Sequence, residues 1–227
     1  MVLPVISSVI ALAACGNLGA TQPLSLDQRV ATAADAPGTK PDPEETREQT
    51  ADFDEFIVAM KDRAIDPEAS MTDVFRNAGF KAAIADARFF GDVHSHDVPH
   101  LFTSVIQLAS QEGAESALDW LHSDSLKPCP ESCAVQISEF DVDGIQGALG
   151  VRRAQSAEDI KNLGRPGDEP FESYEVLFVD GSFTYSMVLR GQPGAVTEKQ
   201  AETIALALYK RVRGAPPPSG SGAAAES

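Results

Sequence analysis

The stretch Tyr174-Glu175-Val176-Leu177-Phe178-Val179-Asp180-Gly181-Ser182-Phe183-Thr184-Tyr185-Ser186-Met187-Val188-Leu189 decides the fold. Two β-prone runs flank an Asp-Gly pair, a strong short-range signal for a hairpin, because a type I′ turn needs positive φ at both central residues. With Asp180 and Gly181 as the loop, Val179 pairs with Ser182 and Phe178 with Phe183. Stepping by two, Val176 faces Tyr185 and Tyr174 faces Met187. One face then carries Tyr174, Val176, Phe178, Phe183, Tyr185, Met187 and Leu189, and so aromatic a face must be covered. The next segment supplies a cover. Thr197 with Gln200 caps a helix whose Ala201, Ile204, Ala205, Leu208 and Val212 form an apolar stripe.

Toward the N-terminus the same order of strand, strand and helix recurs. Residues 84–90 and 101–108 are short β-prone runs, and Ser110 caps a helix through His122 with Ala114, Leu118 and Leu121 on one face. The recurrence over 84–122 and 174–212 has two readings, an internal duplication or a chance repeat of a short unit. Phe53, Ile57, Met60 and Ala64 fall at helical spacing, and a second short helix covers 70–78 after Pro67. Asp143-Gly144 is another Asp-Gly pair between apolar runs. These elements predict an α+β fold: an antiparallel sheet of about five to seven strands with helices packed on one face, the other face being free for a ligand.

Residues 2–14 are apolar apart from Ser7 and Ser8. That is the length of a signal-peptide core and short of a membrane span. The run ends Leu12-Ala13-Ala14-Cys15, which resembles the lipobox of bacterial lipoproteins. The resemblance implies a signal peptide over 1–14 and a diacylglyceryl group on the Cys15 sulfur. It places the chain at the cell membrane, lipid-anchored on the extracytoplasmic face, since two acyl chains suffice for stable anchoring. Signal peptides open with Lys or Arg, whereas the first basic residue here is Arg29, so a translation start upstream of Met1 is expected. From 15 to 50 the lipidated cysteine and a Pro-, Thr- and Glu-rich run read as a flexible linker. The folded domain is then 51–213, and 214–227, with Pro216-Pro217-Pro218-Ser219-Gly220, a disordered tail.

The hairpin, together with Thr197-Glu198-Lys199-Gln200-Ala201 and Ala207-Leu208-Tyr209-Lys210-Arg211, resembles the C-terminal part of envelope lipoproteins from high-GC Gram-positive bacteria, some of them similar to PsbP-like domains. What the resemblance implies is a small accessory or binding domain, not a reaction.

Asp and Glu number 34 against 18 Lys and Arg, a formal net charge of −16, which excludes a nucleic-acid binder. No Gly-x-Ser-x-Gly, His-Glu-x-x-His or P-loop is present. Gly144, Gly147 and Gly150 have the wrong spacing for a dinucleotide loop. The expectation is a module without catalysis and without a cofactor, whose partner is an unknown protein or small-molecule ligand. Trp120 could line a pocket or sit at the edge of the core.

Two clusters carry potential chemistry. In Asp92-Val93-His94-Ser95-His96-Asp97-Val98-Pro99-His100, three of the four histidines fall close together. On an extended segment His94 and His96 share a side with Asp92, so His94, His96 and His100 are candidate ligands for zinc or copper. The other reading is a polar loop between two strands. Cys129 and Cys133 can join if the chain makes one helical turn, and an exported protein meets oxidants, so a disulfide is expected. Their Cys-x-x-x-Cys spacing is also similar to that of Sco-type copper assembly proteins. Those carry Pro where this chain has Ala134, and their histidine lies downstream, not upstream.

Overall fold

The computed structural model describes residues 24–45, 47–64, 69–95, 97–128, 134–162 and 169–214. Its strands are β1 (Thr39–Pro41), β2 (Glu48–Thr50), β3 (Ala82–Phe90), β4 (His100–Gln107), β5 (Gln136–Phe140), β6 (Leu149–Gln155), β7 (Phe171–Asp180) and β8 (Phe183–Gly191). Its helices are α1 (Phe53–Arg63), α2 (Ala69–Asn77), α3 (Gln111–Ser125), α4 (Ala157–Asn162) and α5 (Glu198–Val212). Three helices start where a short polar side chain takes up free backbone N–H groups. Asp52 accepts from the N–H of Asp54 and Glu55, Ser110 from Gly113, and Thr197 from Gln200.

All the strands pair antiparallel in one sheet of order β1-β3-β4-β8-β7-β6-β5, with β2 beside β1 along the outer edge of β3. This is the expected α+β class with an antiparallel sheet, carried to eight strands. The expected two-residue hairpin also forms, but its loop is Gly181-Ser182. Asp180 pairs with Phe183, Phe178 with Tyr185 and Val176 with Met187. Gly181 has φ 58°, and among the described residues no non-glycine residue has positive φ. A glycine alone at the first central position is the type II′ pattern, in which Ser182 stays on the ordinary side. The register therefore differs by two residues from a type I′ loop. An even shift leaves every side chain on its face, while Phe178 exchanges Phe183 for Tyr185 as its neighbour. The rings of Phe178 and Tyr185 stack with centroids 4.5 Å apart.

The expected aromatic face of the hairpin lies under α5. Tyr174, Val176, Phe178, Tyr185, Met187 and Leu189 share one core with Ile204, Ala205 and Leu208. The opposite face is covered as well, which corrects the expectation of helices on one face. Phe56 of α1, Met71 and Phe75 of α2, and Ala114 and Ala117 of α3 form a second core against Ala83 and Ile106. Leu177, one residue from Phe178 and so on the other side of the ribbon, is as fully buried. The two strand–strand–helix units explain this: α3 and α5 follow equivalent hairpins but fold onto opposite faces of the shared sheet.

The linker expected over 15–50 is also corrected where it is described. Val30, Ala31 and Ala36 are buried in the α5-side core. Asp35 is sealed from solvent against Arg211 of α5, and β1 and β2 extend the sheet. Arg29 donates to the Tyr185 hydroxyl at 2.7 Å and lies over the Phe183 ring. Burial pushes the Tyr185 phenol up to about 12, against the pull of Arg29, so the hydroxyl stays protonated as an acceptor. The folded unit thus begins by Leu24, not at residue 51.

Candidate ligand cleft and histidine cluster

Strand alternation sorts the residues of β4, β6, β7 and β8 between the two faces. On the face beneath α1 and α3, Phe102, Ser104, Arg153, Glu175, Ser186, Val188 and Arg190 line a cleft of about 440 Å³. Its opposite wall is Met60 of α1 and Ala64 just after it, with Trp120 and Leu121 of α3. Trp120 thus lines a pocket while its ring also meets Phe75 edge-on at 5.6 Å. The lining is mixed: apolar side chains cover the helix side, while Glu45, Asp86, Asp124 and Glu175 bring carboxylates beside the two arginines, and a polar end lies where α3 meets β7. There Ser125 and Ser186 donate to the two Glu175 oxygens at 2.6 and 2.7 Å.

Arg153 stands beside that carboxylate without bonding to it. Its Nε and Nη2 are shielded from solvent and reach no acceptor among the described residues. Burial lowers the Arg153 pKa, and Glu175 and Asp124 pull it back up at longer range. The charge remains, because an arginine does not deprotonate in a protein. Its sequence neighbour shows the contrast: Arg152, on the other face, holds Glu172 at 2.8 Å. Arg190, an exposed residue, ends at the same cleft, with its guanidinium over the Phe171 ring at 4.4 Å. It forms no ion pair among the described residues.

The histidines gather around a residue that the sequence reading placed in the linker. His94 Nε2 lies 3.2 Å from Asp42 Oδ1, and His100 Nδ1 lies 3.1 Å from Asp42 Oδ2. Burial raises the Asp42 pKa, but the N–H groups of Glu44 and Glu45, followed by the two imidazoles, outweigh it and hold the carboxyl below its ordinary value. The outer nitrogens also meet acceptors. His94 Nδ1 is 3.6 Å from Glu44 Oε1, and His100 Nε2 is 3.2 Å from the Ser95 carbonyl. Asp92, expected in line with His94, instead reaches Lys40 at 2.9 Å in solvent. The reason is local: β3 ends at Phe90, Gly91 turns the chain with φ 105°, and residues 91–95 and 97–99 lie outside any strand. His96 lies outside the described residues, as do Cys15, Cys129 and Cys133.

A second cleft of about 320 Å³ opens over Asp42, His94 and His100, and it shares Glu45, Phe102 and Arg190 with the larger one. The sequence missed Asp42 because it is far along the chain from the histidines, and missed Arg153 because only the pairing of β6 tells which arginine of the pair faces the cleft. Among the described residues no helix is long and apolar enough to cross a membrane.

No protein family and no curated protein matches this sequence. Among solved structures, the chain is similar to the extracellular domain of PknH from Mycobacterium tuberculosis. The TM-score is 0.51 at 13% sequence identity, over 85% of this chain and 98% of that one. At that identity the likeness is one of fold.

Proposed function

We propose that this chain is an extracytoplasmic, non-catalytic binding module that takes a small amphipathic anion into the cleft beneath α1 and α3. The observation that carries this reading is Arg153, a guanidinium on the wall of a cleft with an apolar side, two of whose nitrogens are sealed from solvent and reach no acceptor among the described residues. An unpaired charge at low dielectric is costly, and a ligand that brings an anionic group to it relieves that cost. The apolar wall suits the remainder of such a ligand. Arg190 adds a second positive charge at the rim. The fold's likeness to an extracellular domain supports the location outside the cytoplasm.

Laurate, a carboxylate with an apolar tail, is the direct probe. Calorimetry should give saturable binding to the native chain, and Arg153→Met should weaken it about tenfold or more, the worth of a hydrogen bond to a charged group. The same variant should keep or gain thermal stability, because no described residue pairs with that charge. Equal laurate affinity in the variant, or no binding by the native chain, sinks the proposal.

Anchoring belongs to the same proposal. Cys15 carries the lipid, and the nine steps of chain from Cys15 to Leu24 then separate it from a packed domain by at most about 32 Å. Cys15→Ala, expressed from the natural start, should move the protein from the membrane to the soluble fraction. Retention of the variant on membranes washed with high salt would show that something other than a lipidated Cys15 holds it.

A further inference from the structure

Apart from the ligand cleft, the structure assigns a divalent-metal site to Asp42, His94 and His100, with Zn²⁺ the ion its donors suit. A neutral imidazole cannot meet an oxygen acceptor with both of its nitrogens. A neutral ring has one N–H and one lone pair. Each of these rings presents one nitrogen to Asp42 and the other to a second oxygen, Glu44 Oε1 for His94 and the Ser95 carbonyl for His100. If the outer nitrogens donate, the inner two aim lone pairs at a carboxylate. A cation between them turns that repulsion into coordination.

The surroundings are those of a metal site. Metal-binding histidines donate their other N–H to a carboxylate or a backbone carbonyl, which fixes the tautomer and orients the ring. The Ser95 carbonyl occupies that position for His100 at 3.2 Å, and the Glu44 carboxylate stands on that side of His94 at 3.6 Å, beyond hydrogen-bond distance. The N–H groups of Glu44 and Glu45, at 2.9 and 3.3 Å, hold Asp42 Oδ1 and so fix the carboxylate. Asp42 is itself nearly sealed, its side chain 3% exposed.

The spacing agrees with zinc. Bonds of about 2.0–2.1 Å in a tetrahedron put ligand atoms about 3.3 Å apart. His94 Nε2 stands 3.2 Å from Oδ1 and His100 Nδ1 3.1 Å from Oδ2, so each nitrogen is at about that separation from one oxygen of the shared carboxylate. All three ligand atoms lie within 4.8 Å of one another, so binding needs only a modest closure of the two rings. Two imidazoles and a carboxylate form a borderline donor set that favours zinc over the all-oxygen cations calcium and magnesium. The three ligands leave the side toward the smaller cleft for water or a ligand atom.

The test is a calorimetric titration of chelator-treated full chain with ZnCl₂ in a non-coordinating buffer, repeated on variants. One Zn²⁺ per chain is expected, and His94→Gln and His100→Gln should each weaken it more than tenfold. Circular dichroism melts establish that these variants are folded. Because Cys129 and Cys133 could also take zinc, the Cys129→Ser, Cys133→Ser double variant should bind as the native chain does. Co²⁺ should give d–d bands without a thiolate charge-transfer band. Four results overturn the assignment: no binding at millimolar zinc, unchanged affinity in both histidine variants, loss of binding in the cysteine variant, or a thiolate band with Co²⁺.

Discussion

Leu177→Ala is expected to destabilise the domain about as much as Phe178→Ala, each by about 3–5 kcal/mol, within the usual cost of emptying a fully buried large site. These neighbours on β7 point to opposite faces of the sheet. Phe178 stacks on Tyr185 and meets Tyr209 of α5 edge-on. Leu177 lies beneath the helices of the other face, and both side chains are 0% exposed. A domain of this size has about 5–15 kcal/mol in total, so either variant removes a large share. Urea unfolding of the two variants decides the matter. A loss under about 1 kcal/mol for Leu177→Ala would mean that α3 does not cover the sheet, and the cleft between them would go with it.

The same pair shows what the sequence could and could not disclose. Period-two alternation made Phe178 and its partners a buried face, and the stripe from Ala201 to Val212 identified its cover. Alternation is silent about the second face when that face mixes Leu177 and Val179 with Ser173 and Glu175, because a polar-looking strand face can still lie under a helix and bond to it. Ser125 of α3, donating to Glu175, is that case. The hairpin loop was legible as a loop but not in type. Asp-Gly fits type I′, yet Gly-Ser fits type II′ equally well, and only the pairing of Asp180 with Phe183 separates them.

The candidate sites were legible in halves. His94 and His100 stood out because histidine is scarce in this chain, but the carboxylate that joins them comes from Asp42, in a stretch whose composition imitates a linker. Long-range pairing of this kind leaves no local trace. Arg153 was visible only as one of two adjacent arginines. Its difference from Arg152 arises when β6 docks on β7 and opposes Arg152 to Tyr174 but Arg153 to Ser173.

The segment that imitates a linker also supplies the other large effect. Asp35→Ala should cost about 3–5 kcal/mol, the usual penalty for leaving a buried charge without its partner. Arg211 grips Asp35 through Nε at 2.9 and 3.0 Å and Nη2 at 2.9 Å, and the Asp35 side chain is 0% exposed. The remaining capacity of both groups is filled from the same segment. Thr32 donates to Asp35 through its N–H and its hydroxyl, and Arg211 donates to the carbonyls of Gln28 and Val30. Loss of either partner therefore strands the other and loosens the chain on which Val30, Ala31 and Asp42 depend. Arg211→Met should cost a similar amount, and the double variant less than the two losses added, a coupling of about 0.5–3 kcal/mol that marks a direct pair. Amide exchange should rise first over residues 28–36 in Asp35→Ala, while β7 and β8 stay protected. Strict additivity, or a loss below about 1 kcal/mol, would return this segment to the role of tether, and Asp42 would then be too loosely held to serve as a ligand.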